Sequence, residues 1–218
     1  MEPSMFKQHR TVAAFDFDGT ITTGDSLKAF VLHTVGPIRF ATSAIWAAPA
    51  LTGMALGRCD RGTAKAEYLK YALKHVSRDA LQLAAQSFCA TLLPAMIRPE
   101  MIERVRQHQA LGHEVVIVSA SPSLYLRLWA QTIGIGTVLS TELELTESGY
   151  AGRFIGANCW GPEKVERLKA WWGAYRPMTL YAYGDSAGDK EMAEAADVPW
   201  IRGCGALPTL PVLSDTHY

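Results

Sequence analysis

The sequence predicts an α/β fold, a Rossmann-like parallel sheet interrupted near its start by an all-helical insert. Short apolar runs at residues 12–15, 114–119 and 178–183 read as buried strands, and each ends in a polar cluster. Helix-period stretches lie between the later strands, as crossovers between parallel strands require. From residue 27 to about residue 93 only helical signals occur. The expected division is therefore a core of residues 1–20 and 95–218, with a helical cap of residues 21–94 inserted into it.

The elements follow in order. Val12-Ala13-Ala14-Phe15 is too short for an independent helix and ends in Asp16-Phe17-Asp18-Gly19-Thr20. Residues i and i+2 share a face of a strand, so Asp16 and Asp18 can point into one volume, where their repulsion calls for a cation or a shared proton. A polar Asp-Gly turn is the alternative at this point. Asp25 or Ser26 can cap the next helix, which carries Leu27, Phe30, Val31 and Thr34 at helical spacing. Residues 64–76 form a second helix, and Ser77-Arg78-Asp79-Ala80 starts a third. Pro94 and Pro99 mark the return to the core, and residues 99–111 read as a helix closed by Gly112. The β-branched run 114–119 ends in Ser119-Ala120-Ser121-Pro122. A helix over 124–133, a short strand at 138–139 and a small hairpin over 142–155 follow. Gly161-Pro162 opens a helix containing Lys164. The strand at 178–183 ends in Gly184-Asp185-Ser186-Ala187-Gly188-Asp189, and a helix at 190–196 and a strand at 198–201 complete the body. The tail from residue 206 reads as irregular.

Composition narrows the function. Of 218 residues, 21 are Lys or Arg and 21 are Asp or Glu, so no net field favours a polyanion, and a nucleic-acid partner is not expected. Cys59, Cys89, Cys159 and Cys204 are scattered, with no CxxC pair, which fits reduced and mostly buried thiols in a cytoplasmic protein. Lys7, His9 and Arg10 lead directly into the first strand without a secretory pattern. His33, His75, His108 and His113 fall in helices or turns without evident partners and read as structural.

Residues 40–57 carry no charge and are flanked by Arg39 and Arg58. Their length is near the minimum of roughly 18–20 residues for a bilayer span. Three readings stand: packed helices of the insert, an interfacial element touching the inner face of the membrane, or a true span.

Three strands ending in Asp16 and Asp18, in Ser119, and in Asp185 place these groups on one edge of a parallel sheet, where open α/β folds bind ligands. Acids, hydroxyls and one lysine suit a hard cation and a phosphate. No strand–glycine–lysine phosphate loop and no GxGxxG accompanies them, which argues against a nucleotide triphosphatase or a dinucleotide enzyme.

These four motifs, Asp16-Phe17-Asp18-Gly19-Thr20, Ser119, Lys164 and Gly184 to Asp189, resemble those of the haloacid dehalogenase superfamily of phosphatases, in order along the whole chain. The insert after the first motif resembles the cap of the phosphoserine-phosphatase-like branch. Within that branch the Ser119-Ala120-Ser121-Pro122 turn, the uncharged cap stretch and Trp160 to Glu166 look most like bacterial phosphatidylglycerophosphatase C-like hydrolases. The resemblance implies that Asp16 attacks phosphorus and becomes an aspartyl-phosphate, and that Asp18 is the general acid and base, with Thr20 positioning it. It implies Mg²⁺ held by Asp16, Asp185 and the Asp18 carbonyl. Ser119 (or Ser121, on the same turn), Lys164 and Thr20 would hold phosphoryl oxygens, with Asp189 behind them. Asp25 matches the position of a substrate-binding acid in amino-acid-specific relatives, as well as a helix cap. Gly188 departs from phosphoserine phosphatases, which carry Asn there. The expected activity is hydrolysis of a phosphate monoester on a membrane lipid, such as phosphatidylglycerophosphate. The alternatives are the same chemistry on a soluble metabolite such as phosphoserine, or a non-catalytic phosphate-binding regulator.

Overall fold

The computed structural model describes residues 10–211, so Lys7 and His9 lie outside the described residues. Six strands form one sheet: β1 (Thr11–Phe15), β2 (Glu114–Pro122), β3 (Thr137–Thr146), β4 (Gly149–Ile155), β5 (Thr179–Gly184) and β6 (Val198–Ile201). Their order is β4-β3-β2-β1-β5-β6. Every pairing is parallel except the β3–β4 hairpin. β1 is central, and its alternate residues face opposite sides. Val12 and Ala14 pack with Val116, Val118, Leu180 and Ala182 in one apolar cluster, while Ala13 and Phe15 join the larger cluster on the other side. Both faces are buried, which is why β1 reads as a continuous apolar run.

Five helices fall between the β1 turn and residue 97, before α6 leads back to the sheet: α1 (Ser26–Trp46), α2 (Ala48–Ala55), α3 (Arg61–Ala72), α4 (Arg78–Thr91) and α5 (Leu93–Met96). α1 breaks at Gly36-Pro37, where Gly36 takes φ 76° and Pro37 offers no amide hydrogen. α6 (Pro99–Ala110) precedes β2, α7 (Ser123–Thr132) follows it, and α8 (Pro162–Trp172) and α9 (Lys190–Ala195) flank β5. The last described residues, 207–211, have no regular structure.

Several expectations change. The helix expected at 64–76 begins earlier, at Arg61, because Asp60 caps it through the Thr63 amide, and it ends at Ala72. The separate strand at 138–139 and the first arm of the hairpin are one strand. β3 pairs parallel with β2 in its first half and antiparallel with β4 in its second. Three of the four histidines have partners: His108 shares hydrogen bonds of 2.8 Å with His113 and with the Tyr183 hydroxyl, and His33 meets Ser87 at 3.1 Å. Burial of the thiols is uneven, since Cys159 is buried while Cys204 is exposed. Residues 40–57 are divided between the second half of α1 and α2, and no described helix is long and apolar enough to cross a membrane. The spanning reading thus has no element to carry it.

Candidate active site

The site sits at the carboxyl ends of β1, β2 and β5. The chain leaves β1 at Asp16 and coils through the tight turn Phe17–Ile21, in which Gly19 adopts φ 79°. A Cβ on Gly19 would lie 2.0 Å from Asp185 Oδ2, so a glycine here is what lets the β1 turn and the β5 end approach.

Asp16 is 5% exposed. Lys164, from the first turn of α8, places Nζ 2.6 Å from Asp16 Oδ1 and 2.5 Å from Asp189 Oδ1. Asp189 is fully engaged: its Oδ2 accepts from the Asp185 amide, the Ser186 amide and the Ser186 hydroxyl, each at 3.1 Å. Burial alone would lower the Lys164 pKa, but Asp16 and Asp189 outweigh it and hold the ammonium above its ordinary value. Burial pushes the Asp16 carboxyl up to about 7 against the pull of Lys164.

Asp18 is bound on the other side of the turn. Its Oδ1 accepts from the Ser26 amide at 2.8 Å, and the Ser121 hydroxyl donates to its Oδ2. Burial raises its pKa, while the Ser121 and Ser26 hydrogen bonds oppose the rise. A buried carboxyl of this kind retains its proton more readily, as a general acid requires. Two sequence-level assignments shift here. The Thr20 hydroxyl donates to Asp16 Oδ2 at 3.3 Å, so it positions Asp16 and not Asp18. The partner of Asp18 is Ser121, whereas Ser119, wholly buried, accepts from the Ser121 amide at 3.1 Å and shapes the turn. Ser26 adds a link, with its hydroxyl 2.9 Å from that of Tyr125 and 3.4 Å from that of Ser121. Ser121 was already visible as a second hydroxyl on that turn; nothing in spacing alone ranks the two.

Asp185 is the uncommitted acid: its carboxylate accepts no hydrogen bond among the described residues, and burial and the Asp189 charge raise its pKa. Carboxylate oxygens of Asp16, Asp185 and Asp189 lie within 4.8 Å of one another. Since both Asp189 oxygens are already occupied, Asp16 and Asp185 remain as the pair able to hold a hard divalent cation, and an all-oxygen donor set suits Mg²⁺. Such an ion would supply charge neutralisation at the reacting phosphate.

Asp25 acts as the cap of α1, accepting from the Lys28 amide at 3.0 Å, and it also lines the cavity above the acids. This cavity, about 770 Å³, is walled on the core side by Asp18, Gly19 and Asp185 and on the helical side by Phe40, Leu51 and Met54. The departure at Gly188 has a local cause. A Cβ there would fall 2.3 Å from Trp160 Nε1, so the indole occupies the space a larger residue would need.

Acids and a buried lysine at the strand ends of a parallel sheet fit an enzyme of the α/β class that handles phosphoryl groups. The sequence profile of haloacid dehalogenase-like hydrolases matches residues 13–194, and the chain belongs to that family. It is 35% identical over 187 residues to protein CicA of Caulobacter vibrioides, covering 85% of this chain and 83% of that one. Among solved structures it resembles a Bordetella pertussis protein of unknown function, with TM-score 0.74 and 24% identity over 88% of this chain and 89% of the other. It also resembles a protein described as a probable phosphoserine phosphatase from Vibrio cholerae, with TM-score 0.66 and 18% identity, over 89% of this chain and 56% of that one. Those two likenesses bear on the fold.

Proposed function

We propose that this chain is a Mg²⁺-dependent phosphomonoester hydrolase that works through an aspartyl-phosphate on Asp16. The observation that carries the reading is the buried line Asp16–Lys164–Asp189, with the uncommitted Asp185 carboxylate beside it. Asp16 Oδ attacks phosphorus and the ester oxygen leaves with the proton of Asp18; Asp18 then takes a proton from water as the aspartyl-phosphate is hydrolysed. Lys164, held charged by two carboxylates, balances the phosphoryl oxygens, and the Ser119–Ser121 turn faces them from β2. Asp16, Asp185 and the Asp18 carbonyl would hold the ion, and Asp189 orients Lys164. The natural division is a core of 1–20 and 95–218 with a cap of 21–94, because the cavity opens between these parts.

The substrate reading is a lipid-linked phosphate such as phosphatidylglycerophosphate, handled at the inner membrane face. It is supported by the apolar side chains Phe40, Leu51 and Met54 in the cavity wall and by Ile38, Ile45 and Trp46 on α1 and Leu56 just after α2, 66–81% exposed. No Asp or Glu occurs between Asp25 and Asp60, which suits an anionic surface. A soluble substrate such as phosphoserine is the second reading, favoured by the acid of Asp25 in the cavity. The intact set of reacting groups argues against a regulator without activity.

The test is a Mg²⁺-dependent screen of lipid and water-soluble phosphate monoesters with Asp16→Asn as the control. We expect turnover by the parent and no aspartyl-phosphate or turnover by the variant. A variant as active as the parent would overturn the mechanism. Efficient turnover of soluble esters with none of lipid phosphates would overturn the lipid assignment.

A further inference from the structure

Five cations line the catalytic cavity, and three of them are accounted for. Lys28 pairs with Asp25 at 3.3 Å, while Arg98 and Arg202 reach Glu100 at 3.9 and 3.7 Å and donate to backbone carbonyls of the β1 turn and the residues after it. Arg61 and Lys65 have no carboxylate within 4.0 Å among the described residues. They stand one turn apart on α3, where like charges repel and destabilise the helix slightly.

Both are nevertheless held in place from the core side. The Lys65 ammonium donates to the Ala120 carbonyl and to Asn158 Oδ1, at 3.2 Å for the latter, which leaves one of its three N–H groups free. The Arg61 guanidinium lies 5.3 Å from the centre of the Trp160 ring, a cation–π distance. Trp160 can stand there because residue 188 is glycine. Gly188 admits the indole, the indole positions Arg61, and the Ser119–Ser121 turn and Asn158 position Lys65. Two pre-set cations with unused donors line the same cavity as Asp18 and await an anion.

We propose that Arg61 and Lys65 form a second anion subsite, which takes a negatively charged oxygen group of the substrate other than the phosphate being hydrolysed. The proposal rests on the phosphatase reading of Asp16 and adds to it the anatomy of the substrate. The monoester phosphate lies at Asp16, a second anion at α3, and any apolar portion against Phe40, Leu51 and Met54. A phospholipid phosphodiester and the carboxylate of a small metabolite both offer that anion.

The experiment measures steady-state kinetics of the full chain with Mg²⁺ on three esters: phosphatidylglycerophosphate in neutral detergent micelles, phosphoserine, and phenyl phosphate, which has no second anion. Arg61→Gln and Lys65→Met are compared with the parent. We expect kcat/KM to fall at least about tenfold further on an ester with a second anion than on phenyl phosphate, mainly through KM, with Arg61→Lys recovering most of the loss. The ester that shows this selective loss identifies the source, lipid or soluble. Equal losses on all esters, no loss on any, or a parent enzyme that prefers phenyl phosphate would overturn the subsite. Arg61 is exposed on its helix, so its variants fold even if Lys65→Met does not. Retained turnover in Asp16→Asn would instead defeat the phosphatase reading and leave the two failures distinguishable.

Discussion

Lys164 sits where two carboxylates would otherwise be buried side by side. Replacing it with Met leaves both without a counter-charge, and removal of one partner of a buried pair typically costs roughly 3–5 kcal/mol. Urea denaturation of Lys164→Met in the absence of added metal should show a loss of that order, along with lost activity. Ser121 makes a finer prediction. Its hydrogen bond favours the ionised form of Asp18, so Ser121→Ala should raise the Asp18 pKa. The high-pH limb of kcat, where the acid loses its proton, then moves to higher pH; a move to lower pH would contradict the assigned role. Asp16, Lys164, Asp185 and Asp189 could be picked out from the sequence because each ends a strand or opens a helix, and backbone register alone carries such positions to one edge. The partners of Thr20 and Ser121 could not, because they depend on how a five-residue turn coils around Gly19. That coil is set by Asp185, more than 160 residues away in the chain.

At the scale of elements, α6 packs on the sheet through a polar contact inside an apolar layer. Burial, His113 and Arg104 together push the His108 imidazole down to about 3, whereas an unfolded histidine titrates near ~6.5. A group depressed in the folded state contributes its stability above the unfolded pKa and loses it on acidification. Stability should therefore fall as pH drops from about 6.5 towards 3. His108→Gln should flatten that slope in pH-dependent thermal unfolding. The hairpin is equally specific. Gly149, at φ 115°, lies so close to the chain after α3 that a Cβ would stand 1.9 Å from the Val76 carbonyl oxygen. Gly149→Ala should cost more than about 1 kcal/mol by denaturant titration, well beyond an ordinary turn substitution. Strand and helix identities were legible from period and caps, as at Ser77, whose hydroxyl accepts from the Ala80 amide. The continuity of β3 was not. Its residues alternate only in the second half, where β3 pairs with β4; the first half, which pairs with β2, shows no alternation.

For the whole molecule, the sequence pattern carried the α/β plan and the helical insert, since short apolar runs and helical spacing are local properties. The use made of residues 40–57 was not local. Uniformly uncharged sequence does not say which side chains turn inward; in the fold Phe40, Leu51 and Met54 line the cavity while Ile45 and Trp46 face solvent. If the outward side chains meet a bilayer, Ile45→Glu and Trp46→Glu should reduce sedimentation with anionic liposomes several-fold while turnover of phenyl phosphate persists. Binding unaffected by both changes would remove the membrane from the account.

The second half of α1 and the short α2 present Ile45 and Trp46 to solvent and Phe40, Ala44 and Leu51 to the cavity. Outside and inside are thus one helix diameter apart, about 10 Å. A phospholipid approaching from that side would need to lift only its headgroup past the rim, leaving its acyl chains in the leaflet. Extraction of the whole molecule, the costly part of handling a lipid in water, would then be unnecessary.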